Sequence, residues 1–337
     1  MKLKKLAMVG GLIATTTLSA MGVSKNMSNT NPLTNKPYAE VEFAIEGSNN
    51  CKYQVLINDV PIYAGAGAMR ASYPVNHYMI NGQNNLAIAI KDTDSECKAS
   101  ATLQVRKLDE SNNDVRILNK VEFSGQPSKA SASSIKDSTV AEKLSFQDNK
   151  FKANEDGDIK VSKAVLSTDK EYYGYNYDTQ KREYMSGVKV SQDIDLPISI
   201  PHWAWLDGET IENNQATKDA LIAIYKTIWS DIQSKDWSKL NKLFALRDKE
   251  MTMLDGEKAD TTAKIKATAE DSETKELWIP DGEKFVSLSF QNIYGNKKLV
   301  TLTQWSGKNF LGFKTNYGNT NYGLKFAKIN GKFVIVR

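Results

Sequence analysis

Residues 55–90 read VLINDVPIYAGAGAMRASYPVNHYMINGQNNLAIAI, and this stretch decides the fold. It divides into short apolar runs, VLI, VPIYA, HYMI and NNLAIAI, separated by Asn58-Asp59, Gly65-Ala66-Gly67 and Asn81-Gly82. Asparagine, aspartate and glycine tolerate the left-handed backbone that tight hairpin turns need, so each interruption reads as a turn. Just before it, AEVEFAIEG (39–47) puts Val41, Phe43 and Ile45 on one face of a period-two strand. Just after it, KASATLQVRKL (98–108) and VRILNKVEFSG (115–125) continue the pattern. Strands at about ten-residue intervals predict an antiparallel all-β sandwich over residues 38–125.

The same stretch resembles the core of galactose-binding-like jelly-roll domains. Ile57-Asn58-Asp59 stands where such domains carry an Asn-Gly strand end, and Gly82-Gln83-Asn84-Asn85-Leu86 matches their Gly-x-Asn-x-Leu strand entry. The match departs at Asp59, where glycine is usual. The resemblance implies a sandwich and no sugar site, because many such domains are structural or hold partners.

The first 22 residues have the order of a secretory signal. Lys2, Lys4 and Lys5 precede an apolar run from Leu6 to Leu18, and Ser19, Ala20 and Gly22 form a small-residue exit. The run is short of the roughly 20 apolar residues of a membrane span. Cleavage is expected after Ala20 or Gly22. The first cysteine is Cys51, so neither exit leaves the cysteine that a lipid anchor requires. The expected product is soluble and periplasmic, with secretion as the alternative, and residues 23–37 read as a flexible polar lead-in.

Removing the three signal lysines takes Lys+Arg from 44 to 41 against 40 Asp+Glu, so the formal charge falls from +4 to +1. A balanced chain with no Lys/Arg cluster has no field to draw nucleic acid. Cys51 and Cys97 are the only cysteines, and an oxidising compartment makes a disulfide between them the expectation. With His77 and His202 the only histidines, no zinc-ligand set forms, and neither metal nor cofactor is expected.

Gly, Pro, Ser and Lys dominate residues 126–139, which read as a linker to an α+β domain over 140–337. Tyr172, Tyr173, Tyr175 and Tyr177 cluster early in it, and DLPISIPHWAWLDGE (195–209) follows. Pro197 and Pro201 bar a helix there, so His202, Trp203, Trp205 and Asp207 share one rigid loop. That loop either plugs a core or presents tryptophans to a partner. Thr217 is the expected cap of a helix carrying Leu221, Ile224, Tyr225, Ile228, Trp229 and Ile232 at helical spacing. Ser234-Lys235-Asp236 breaks it before a second helix with Trp237, Leu240, Leu243 and Phe244. Residues 224–251, IYKTIWSDIQSKDWSKLNKLFALRDKEM, resemble the opening of NTF2-like α+β cones, which implies a curved antiparallel sheet after two helices. KFVSLSFQ, KKLVTLTQW, FLGFKTN, YGLKFAKI and KFVIVR supply strands for it.

No G-x-S-x-G elbow, P-loop, H-E-x-x-H or dinucleotide-binding glycine pattern occurs. Asp193, Asp195, Asp207 and Glu209 flank the tryptophan loop and read as solvated acids, and the acidic run Asn154–Asp158 reads as a hairpin tip. The expected function is therefore a non-enzymatic binding protein of the bacterial envelope. Its most specific form is an immunity protein that neutralises a toxin delivered into the periplasm by a type VI secretion-like route. A carbohydrate- or cell-wall-binding module and a hydrolase with an NTF2-like pocket are the alternatives. Interface candidates are His202, Trp203, Trp205 and Asp207, with Tyr172, Tyr173, Tyr175 and Tyr177.

Overall fold

A computed structural model describes residues 38–106, 116–138, 160–179, 181–196, 201–255, 258–278, 289–294, 297–304 and 309–337. The expected signal (1–22), lead-in (23–37) and acidic tip (154–158) lie outside the described residues.

The first half is all β. In chain order it holds β1 (Tyr38–Gly47), β2 (Lys52–Ile57), β3 (Val60–Ala66), β4 (Met69–Pro74), β5 (Gly82–Lys91), β6 (Cys97–Arg106), β7 (Arg116–Gly125) and β8 (Ile135–Ser138). Next come β9 (Lys160–Val161), β10 (Val165–Thr168), β11 (Tyr172–Asn176), β12 (Lys181–Met185) and β13 (Gly187–Leu196). One antiparallel sheet runs β4-β1-β6-β7-β8, and the other runs β10-β13-β5-β2-β3 with β9 on β13. Alternation sends Val41, Phe43 and Ile45 of β1 inward to meet Tyr53, Val55 and Ile57 of β2 and Leu86, Ile88 and Ile90 of β5 in one buried core. Asn58 and Asp59 both take left-handed backbone, at φ 49° and 61°, as the two-residue turn between β2 and β3 demands. Asn58 also ties that turn down, donating from Nδ2 to the Tyr78 carbonyl and to Asn84 Oδ1 at 2.8 Å each. Cys51 and Cys97 are bonded, with Cα atoms 5.8 Å apart.

The sandwich does not end at residue 125. Within the expected linker the chain makes two 3-10 turns, Pro127–Lys129 and Ala132–Ser134, and then β8 pairs with β7. β13, from beyond that segment, pairs with the whole of β5 from Gly187↔Lys91 to Leu196↔Gly82. The Gly, Pro and Ser composition there marks tight turns between paired strands rather than free chain.

The second half is α+β. It contains α1 (Gln215–Gln233), α2 (Trp237–Asp255) and α3 (Thr261–Glu270), then β14 (Thr274–Trp278), β15 (Ser289–Tyr294) and β16 (Leu299–Gln304). β17 (Leu311–Thr315), β18 (Gly318–Tyr322), β19 (Phe326–Ile329) and β20 (Lys332–Ile335) complete it. The strands form antiparallel sheets β14-β17-β18 and β15-β16-β19-β20. The cap of α1 is Asn214, whose Oδ1 accepts from the Thr217 amide at 2.9 Å, so Thr217 sits inside the first turn. Lys235, at φ 57°, makes the break between α1 and α2. A third helix joins the two expected, capped by Asp260 accepting from the Ala263 amide at 2.8 Å. Leu221, Tyr225 and Ile228 of α1 and Phe244 of α2 fill the interior against Phe310, Phe313 and Phe326. The described residues all belong to one unit, and no described helix is long and apolar enough to cross a membrane.

Candidate functional site

The tryptophan loop is a plug. Trp203 is fully buried and Trp205 is 3 % exposed, both within the sandwich core cluster. Trp203 donates from Nε1 to the Met79 carbonyl at 2.8 Å, and the Arg337 guanidinium lies 4.8 Å from its ring centre. Arg337 is itself buried, pairs with buried Glu250 on α2, and donates from Nη2 to the His77 carbonyl at 3.0 Å. Glu250 accepts from the Ala204 amide at 2.6 Å. One charged pair thus ties the tryptophan loop, α2, the chain end and the Asn76–Tyr78 turn together. The tryptophans are therefore not an exposed recognition surface: the loop is apolar enough to be drawn into the core, and the ion pair fixes it there.

His202 and Asp207 stay exposed at the two ends of this loop, with His202 Nε2 2.9 Å from each carboxylate oxygen. His77 packs 4.0 Å from the Tyr78 ring, and burial, with the positive charges of Arg337, Lys325 and Arg247, lowers its pKa to about 3. It is a neutral, packed imidazole. Among the described residues no three His, Cys, Asp or Glu side chains gather as a metal site would require.

The tyrosine cluster forms a hairpin, β11 with β12, laid over the outer face of the β13-β5-β2 sheet. Tyr172 faces inward, buried with Leu56, Ala87 and Ala89. Gly187 makes room for it: a Cβ there would stand 2.5 Å from the Ile90 carbonyl oxygen and 3.0 Å from the Tyr172 Cβ. The Tyr173 carbonyl accepts from Gln54 Nε2 at 2.7 Å, pinning the hairpin to β2. The next side chains along must then face away. Tyr173 and Tyr184 are cross-strand partners with ring centres 5.0 Å apart, and Tyr184 is 51 % exposed. Tyr177, at the turn, is 69 % exposed, and Lys52 Nζ lies 5.8 Å from its ring centre. Partial burial and the nearby charge of Asp59 raise the Tyr184 phenol to about 12. The side chain of Tyr175 lies outside the described set.

Beside the hairpin, the same sheet face opens into a cleft of about 630 Å³. Leu56, Asn85, Ala87, Ser191 and Asp193, on adjacent strands β2, β5 and β13, form its floor, and the Asn58-Asp59 turn, Trp205, Leu206 and Lys298 line its walls. Asp193 organises the polar side, its two oxygens accepting from Asn85 Nδ2 at 2.7 Å and Gln83 Nε2 at 2.8 Å.

Of the expected interface residues, Tyr173, Tyr177, His202 and Asp207 reach the surface, while Tyr172, Trp203 and Trp205 are spent on packing. Tyr184 and Lys298 carry no local signal, because each gains its meaning from a partner on another element, and Asp193, which reads as a solvated acid, accepts from Asn85 and Gln83 of β5. Period-two pairing between the two tyrosine-bearing runs is the one signal that pointed to Tyr184. Neither protein-family models, nor curated proteins, nor solved structures give a match to this chain, so the jelly-roll and cone resemblances stand on the quoted residues alone.

Proposed function

We propose that this chain is an exported, non-enzymatic binding protein of the bacterial periplasm, and that it engages a toxin delivered into that compartment. The observation that carries the reading is the β11–β12 hairpin, a braced element on which Tyr173 and Tyr184 pair and Tyr177 stands exposed at the turn. Tyrosine supplies large contact area with little side-chain entropy to lose, which suits it to protein interfaces. A hydrogen-bonded hairpin over a sheet holds those rings in place before binding, and preorganisation of this kind favours affinity. Export rests on the basic, apolar and small-residue order of residues 1–22. The hydrolase alternative calls for polar groups converging on a pocket in the α+β part, where the described interior centres on an aromatic and aliphatic cluster and also buries Asp231, Asp248 and Thr262.

Two experiments bear on the immunity role. Deleting the gene sensitises cells to toxin-bearing siblings if the reading holds, and full resistance of the deletion strain sinks it. Co-expression with the product of the adjoining gene gives a stable complex, whereas failure to co-purify removes the partner reading.

A further inference from the structure

The cleft beside the hairpin holds one carboxylate and one ammonium to which no described residue brings a counter-charge. Asp193, on its floor, accepts only from the neutral amides of Asn85 and Gln83. Lys298, on its wall, donates only to the Leu206 carbonyl. The two do not pair with each other, and among the described residues neither meets an opposite charge. Lys189, the other lysine on the cleft, is different, because Glu171 sits 3.1 Å from it.

We propose that this cleft binds a small dipolar ligand, a free amino acid or short peptide with one carboxylate and one ammonium group. A half-buried charge held by neutral dipoles has satisfied hydrogen bonds but an uncompensated field, and a ligand of opposite charge gains from that field. A purely anionic ligand is drawn to Lys298 and repelled by Asp193 and by Asp59 on the rim. A purely cationic one meets the reverse. A ligand carrying both groups satisfies Lys298 with its carboxylate and Asp193 with its ammonium. Both side chains line the same cleft, so one ligand seated in it meets both charges. Leu56 and Ala87 give that space an apolar floor suited to a small aliphatic side chain, and the cleft volume is in the range of small-molecule sites.

The proposal is independent of the toxin reading, since it concerns a different ligand in the neighbouring cleft. Calorimetric titration of the purified mature chain with alanylalanine tests it, alongside the N-acetylated and C-amidated forms of the dipeptide. The free dipeptide is expected to bind, and capping either end to weaken it by about tenfold or more. Lys298→Met should abolish discrimination against the C-amide, and Asp193→Asn should abolish discrimination against the N-acetyl form. Melting temperatures of both variants, read in parallel, exclude unfolding as the cause. The proposal is overturned by no heat from free dipeptide or free alanine up to about 10 mM, by equal binding of capped and free forms, or by undiminished binding in folded Lys298→Met.

Discussion

Arg337 stacks its guanidinium 4.8 Å from the ring centre of Trp203 while pairing with Glu250, so one buried cation holds the tryptophan loop against α2. Desolvation lowers the Arg337 pKa and Glu250 opposes that shift, as expected of a charge kept inside by its partner. Removing one member of such a pair strands the other. Arg337→Met is therefore expected to cost about 3 kcal/mol or more in urea unfolding, and the double variant Arg337→Met/Glu250→Met to recover part of it. Additive losses in the double variant would show that the two side chains act separately.

Trp203→Ala removes the fully buried indole and its bond to the Met79 carbonyl. The expected loss is about 3–5 kcal/mol, read as a large drop in melting temperature. A Trp203→Ala protein that keeps its stability would return this residue to the surface.

How much of this was legible in the sequence depends on how far apart the partners are. Val41, Phe43 and Ile45 announce their strand because alternation is local, and the left-handed Asn58-Asp59 turn is equally local. β13 is invisible as a sandwich strand because its partner, β5, lies across the turn-rich segment that reads as a linker. α3 shows no apolar stripe, since Ile265 is its single large aliphatic side chain, so its periodicity is silent. Alternation separates Tyr172 from Tyr173 but does not say which faces water. The fate of Trp203 is set by Glu250 and Arg337, neither of which is its neighbour in sequence.

His77 takes up its proton in the folded protein only near pH 3, against about 6.5 when unfolded. Between those values the unfolded chain binds more protons, so the contribution of His77 makes stability fall as pH drops through that window. Melting temperature should decline between about pH 6.5 and pH 4, and less steeply in His77→Asn than in the parent. Identical slopes would mean that His77 is not held as a neutral, packed imidazole.

The Cys51–Cys97 bond closes a loop of sequence separation 46, and both cysteines are fully buried. Loss of the bond in a Cys51→Ala/Cys97→Ala variant is expected to cost about 2–5 kcal/mol. Because the sulfurs are inaccessible, dithiothreitol should reduce the native protein slowly and the urea-unfolded protein quickly. Fast native reduction would contradict that burial.

The most direct test of the binding role is the affinity of the mature chain for the adjoining gene's product, measured for the parent and for Tyr177→Ala/Tyr184→Ala. Both rings are exposed, so the variant should melt within a few degrees of the parent. A complex with the parent is expected, with affinity at least about tenfold weaker for the folded variant. No complex with the parent, or equal affinity in the two proteins, would contradict the binding role.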